Sequence, residues 1–158
     1  MKLYSSNLQF GTVCEPVKAS FKLTKTIYCK RPKYLKEMVN KLDRLKNENF
    51  NRVLIPDFSY EVNEDSVTYD VDFIKGYPVG TLISKYADIV YEDVVKRTSD
   101  WTFMDLHSVN FIVEYSTDNI YAIDFQSYTY IPNHEERISR WNSCKDHDAS
   151  LVHNLYGI

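Results

Sequence analysis

The apolar residues of the first half of the chain change period twice. This sets an α+β order rather than the regular alternation of a doubly wound sheet. Val17, Ala19, Phe21 and Leu23 alternate with Lys18, Ser20 and Lys22, and alternation returns from Thr26 to Lys30. That is the period of a strand with one buried face. Leu35, Met38, Val39, Leu42 and Leu45 then recur at helical spacing. Pro32 stands just before them and suits the first helical turn, where its missing N–H leaves nothing unsatisfied. Alternation resumes in 58–62 and 66–74, on either side of the polar turn 63–65. The spacing predicts β structure over 2–30, an amphipathic helix over 33–47, and two further strands.

The second half reads differently. Gly76, Pro78 and Gly80 break the sheet pattern. Residues 81–97 read as one or two helices, with Leu82, Ile83, Tyr86, Ile89, Val90, Val94 and Val95 available for burial. Residues 111–115 and 119–123 form a hairpin across 116–118. A short helix is expected over 135–141 by pattern. At 158 residues the chain is expected to form one domain. Its 13 Tyr, 8 Phe and 2 Trp read mostly as core and cleft walls.

Charge is unevenly placed. Residues 17–46 hold ten Lys or Arg against Glu37 and Asp43, a balance of +8, so the net −3 leaves −11 on the remainder. A basic region interleaved with Phe10, Phe21, Tyr28 and Tyr34 is the composition of a single-strand nucleic-acid binder. A solvated helix face and strand edge explains the same charges, and the acidic total argues against nucleic acid. Cys14, Cys29 and Cys144 cannot all pair, and they lack the close spacing of a zinc site. Reduced thiols in a cytoplasmic setting are the simplest expectation. No apolar leader follows Met1, and no run approaches the length of a membrane helix.

One constellation carries chemistry. Asp105 is followed five residues later by Asn110 and fourteen after that by Asp124, each beside an apolar β-type run. Phosphoryl transfer from Mg-ATP needs such a set. One carboxylate accepts the proton of the attacking hydroxyl, while an amide oxygen and a second carboxylate hold the metal on the phosphates.

The run Phe103-Met104-Asp105-Leu106-His107-Ser108-Val109-Asn110, with Asp124-Phe125, resembles the catalytic loop and metal-binding Asp-Phe of the protein-kinase-like superfamily. It is closest in motif to the aminoglycoside phosphotransferase and choline kinase branch, whose loop reads His-Gly-Asp-Leu-His-Pro-x-Asn. The resemblance implies a minimal two-lobed fold, with an N-lobe over 1–75 and a reduced helical C-lobe over 76–158. It implies ATP and Mg2+ as nucleotide and cation, and transfer of the γ-phosphoryl group to a hydroxyl of a small molecule or a protein. Asp105 is then the catalytic base or hydroxyl-orienting group, and His107 braces the loop. Asn110 and Asp124 hold the metal. Lys30 is the phosphate-anchoring lysine, with Lys22 and Lys25 as alternatives, and Glu37 is its partner on the helix. Asp72, Phe73 and Ile74 form the adenine-binding hinge. A lesser alternative gathers Asp105, His107 and Asp124 around a transition metal.

The chain departs from that pattern in three places. Phe103 stands where the family has its first His. Gly11 is the only glycine before position 76, so there is no glycine-rich phosphate loop, and only 34 residues follow Asp124. These departures favour a second reading, a catalytically weak or silent binding or regulatory module on the same fold.

Overall fold

The computed structural model describes residues 21–79 and 84–156, with side chains described as far as residue 145. The β character expected for 2–20 and the helix start expected at 81–83 lie outside the described residues. In chain order the elements are β1 (Lys22–Tyr28), α1 (Pro32–Lys46), β2 (Val53–Leu54), β3 (Phe58–Val62), β4 (Ser66–Asp72), β5 (Gly76–Pro78) and α2 (Ser84–Val90). A wide helical turn (Tyr91–Val95), β6 (Trp101–Phe103), β7 (Phe111–Glu114), β8 (Ile120–Ala122), β9 (Tyr128–Tyr130) and α3 (His134–Tyr156) complete them. The chain is α+β, as its periodicity requires.

Among the described residues three sheets are built: β1-β4-β3, β2-β8-β7-β5 and β6-β9. All pairings are antiparallel except β2 with β8. In the first sheet, Leu23, Lys25 and Ile27 stand opposite Val71, Tyr69 and Val67, while Lys22, Thr24 and Thr26 stand opposite Asp72, Asp70 and Thr68. Directly paired residues share a face. One face is therefore a polar ladder: Lys22 Nζ to Asp72 at 2.8 Å, Thr24 Oγ1 to Asp70 at 2.5 Å, and the Thr26 and Thr68 hydroxyls at 2.9 Å. The other face is apolar apart from Lys25 and the hydroxyls of Tyr60 and Tyr69.

Helix α1 lays Met38, Leu42 and Leu45 into the core against β4 and β9, as the helical period predicts. Phe125, fully buried, joins the two halves of the molecule. It stacks on Tyr69 of β4 at 5.4 Å between ring centroids and packs on Phe58 of β3 at 4.7 Å. Burying such a ring stabilises by about 2–3 kcal/mol.

Three expectations are corrected. The Gly76 segment does not end the sheet but is itself the edge strand β5, paired with β7. A Cβ on Gly76 would lie 2.0 Å from the Val113 carbonyl oxygen, so glycine is what lets the strands approach. The final helix is 23 residues long rather than a short 135–141 segment. Third, β2, although within 1–75, belongs to the sheet of β7 and β8.

The wide turn at 91–95 has a physical reason. Asp93, Val94 and Val95 are all buried, and three consecutive residues cannot face one side of a regular α-helix. The Asp93 carboxylate accepts the N–H groups of Asn51, Arg52 and Val53 at 2.9, 2.8 and 2.6 Å, which fixes the start of β2.

Candidate active site

Asp105, His107 and Asn110 lie between β6 and β7, and Asp124 between β8 and β9. Strand pairing converges the two segments: β6 lies on β9 and β7 on β8. Met104 N–H donates to the Ser127 carbonyl at 2.8 Å and Ile123 N–H to the Asn110 carbonyl at 3.0 Å. The acidic loop and the second acid are thereby tied by backbone on both flanks. The Phe103 side chain is buried among Phe50, Phe111 and Tyr128 and seats the loop by packing.

Within the loop, Asn110 Nδ2 donates to the Asp105 carbonyl oxygen at 3.2 Å, which leaves its amide oxygen as the ligand atom for a cation. His107 N–H reaches Asp105 Oδ1 at 3.5 Å, and its Nε2 lies 3.8 Å from the same oxygen. These contacts set His107 against Asp105. All four side chains are partly buried.

Asp124 is the electrostatic centre. Burial raises its pKa above the usual carboxylate value, and the Asp105 charge adds to this. Lys25, the Gln126 N–H and Lys41 act in the opposite direction. The same carboxylate helps burial push the Tyr69 hydroxyl up to about 12. Two acids share this site with the charges of two lysines, which offset the mutual repulsion of the carboxylates.

The sequence reading of the cations is revised. Lys25, kept as an alternative, is exposed on the same face of β1 as Leu23 and Ile27, and its charge acts on Asp124. Lys22 is on the opposite face, bonded to Asp72. Lys30 lies beyond the end of β1, exposed in the turn before α1. Lys41, which the sequence did not single out, donates to the Gln126 carbonyl at 2.8 Å and faces Asp124. Burial lowers its pKa, and Asp124 and Glu37 oppose that. Its signal was present: Met38, Lys41, Leu42 and Leu45 are spaced as one helix stripe, so Lys41 is a charge inside an apolar face.

Glu37 is exposed, one turn from Lys41, and lines with it a cleft of about 500 Å³ beside Trp101 and Thr129. The hinge candidates are also revised. Asp72 N–H donates to the Asp57 carbonyl at 2.9 Å and Phe73 N–H to the Phe21 carbonyl at 2.8 Å, so neither is open to an adenine edge. A cavity of about 860 Å³ between the Asn49–Arg52 segment and α2 contains none of the sequence-predicted site residues.

Cys144 of α3 entered the sequence reading only as one of three cysteines without the close spacing of a zinc site. Its sulfur lies with one ligand atom each of Asp105 and His107, all within 4.8 Å of one another. Among the described residues, the group that could hold a metal thus includes Cys144 where Asp124 was expected. The basic region does not form a uniform basic face, since Lys22, Lys41 and Lys46 are engaged within the protein and Asp70 and Asp72 lie in the polar ladder beside β1. Among the described residues, no helix is long and apolar enough to cross a membrane. No protein-family model and no curated protein matches the chain.

Proposed function

We propose that this chain is a minimal kinase-like phosphotransferase, moving the γ-phosphoryl group of ATP to a hydroxyl acceptor in a Mg2+-dependent reaction. In this reading, β1, α1, β3 and β4 belong to an N-lobe over 1–75. Residues 76–158 form a reduced C-lobe, with β2 crossing to its sheet. The observation that carries the proposal is the convergence of the loop holding Asp105 and Asn110 on the segment holding Asp124, with the charges of two lysines from different elements acting on that acid.

The donor set fits the cation. A carboxylate and an amide oxygen are hard oxygen ligands of the kind Mg2+ takes. Asn110 and Asp124 would hold it, and when bound it neutralises charge on the β- and γ-phosphates. Asp105 accepts the proton of the acceptor hydroxyl as that oxygen bonds to the γ-phosphorus and the bond to the β–γ bridging oxygen breaks. The leaving ADP keeps the electron pair, and Lys25 and Lys41 balance the charge that develops. Catalysis is then positioning and charge stabilisation. The acceptor in this reading is a small molecule or a side chain presented by a partner protein.

The test is a thermal-shift titration with ATP and Mg2+, followed by ATP turnover. The reading expects a shift lost in Asp124→Asn, and turnover lost in Asp105→Asn with binding kept. No shift at millimolar nucleotide would refute it. The occupied N–H groups of Asp72 and Phe73 favour the second reading, a catalytically weak or silent binding or regulatory module on the same fold. Binding without turnover in the unmodified chain selects that one.

A further inference from the structure

We propose that Asp105, His107 and Cys144 form a binding site for zinc. A carboxylate oxygen, an imidazole nitrogen and a thiol sulfur approach within 4.8 Å of one another. They come from two elements, the loop after β6 and the helix α3. Around a tetrahedral zinc ion such ligand atoms stand roughly 3–4 Å apart, so side-chain rotations of about an ångström close the set. The chemistry selects the ion. Sulfur and imidazole suit zinc and other soft or borderline divalent cations, not Mg2+. Three protein ligands leave one position for water.

The fold prepares this set. His107 and Asp105 are already in contact through the loop backbone and the imidazole. On α3, Arg137, Trp141 and Cys144 follow at spacings of four and three, which puts them on one helix face. Arg137 is buried, and its guanidinium donates to the carbonyls of Ile131, Arg97 and Ser99 at 2.9, 2.9 and 2.5 Å. Trp141 packs on Tyr91 with ring centroids 5.6 Å apart. The helix is pinned within two turns of Cys144, and its inner face carries the thiol to the loop.

Zinc in this position engages the Asp105 carboxylate and suppresses phosphoryl transfer. That consequence rests on the phosphotransferase reading; the site does not.

The experiment titrates the metal-free full chain with Zn2+, and with Co2+ as a spectroscopic probe. The variants are Cys144→Ser and His107→Gln, with Cys29→Ser as control. The expected result is one zinc per chain, bound roughly 100-fold or more weakly in either ligand variant and unchanged in the control. The Co2+ complex should show a thiolate-to-metal charge-transfer band that Cys144→Ser removes. Circular dichroism matching the unmodified chain guards against a folding defect in either variant. Equal zinc affinity in the unmodified chain and Cys144→Ser overturns the proposal, as does a Co2+ complex without the thiolate band. Mg-ATP shifts measured on the same zinc-free samples keep the two readings apart, because their absence refutes phosphotransfer and leaves the zinc titration intact.

Discussion

Lys41 donates from Nζ to the carbonyl oxygen of Gln126 at 2.8 Å, and so a helix cation is held beside Asp124, two residues earlier. The charge of Lys25 on β1 acts on the same carboxylate and favours its ionised form. Replacing either by Met is expected to weaken Mg-ATP binding by about tenfold, near 1.4 kcal/mol, as read by thermal-shift titration. Lys41→Met should leave the metal-free protein no less stable, because the new side chain extends the Met38, Leu42 and Leu45 stripe. Lys30→Met should change neither quantity; equal losses at Lys30 and Lys25 would reject the assignment.

Asp124 gives a pH signature. Its folded pKa is raised, chiefly by burial, so the folded state holds the proton more tightly than the unfolded chain. This contribution is fully present below the unfolded value of 3.8 and is lost as pH rises through the folded value. The metal-free protein should therefore lose stability across that window, and Asp124→Asn should flatten the loss and melt higher above it. Stabilisation by Mg-ATP should run the other way and grow with pH, because the cation needs the ionised carboxylate. Melting temperatures from about pH 3.5 to 6, with and without nucleotide, check both slopes.

Glu48 shows the opposite sign. Burial alone would raise its pKa, but hydrogen bonds from Arg97, at 2.6 Å, and from Tyr128 outweigh it and hold it below 4.5. Its stabilisation is present above that unfolded value and disappears as pH falls through the folded one. Glu48→Gln should cost about 2–4 kcal/mol at neutral pH in urea denaturation, and the cost should shrink on acidification. A cost independent of pH would mean that packing, not charge, holds this junction of α1, β9 and the 96–100 segment.

Gly76→Ala tests the corrected role of the 76–78 segment. The added methyl meets the Val113 carbonyl at 2.0 Å, against backbone that cannot swing aside as a side chain can. A loss of about 2–4 kcal/mol is expected, with hydrogen exchange accelerated along β5 and β7. A neutral outcome would show that β5 is dispensable to the sheet.

Much of this arrangement was legible before folding. The period change predicts helix α1 within one residue at each end, and strands β3 and β4, because burial on one face imposes its spacing directly on the chain. Lys25 and Lys41 were written into the same patterns as charges on apolar faces, although only the first was kept in view. The Gly76 segment was misread because a glycine that admits a neighbouring strand looks the same, locally, as one that ends a strand.

The local sequence determined the elements, the apolar faces and the acidic loop, since each depends on residues within a few positions of one another. Only the tertiary structure decided which lysines face Asp124 and that Cys144 lies beside Asp105 and His107. Those relations depend on strand register and on where a pinned helix meets a distant loop, and packing across the whole chain sets both.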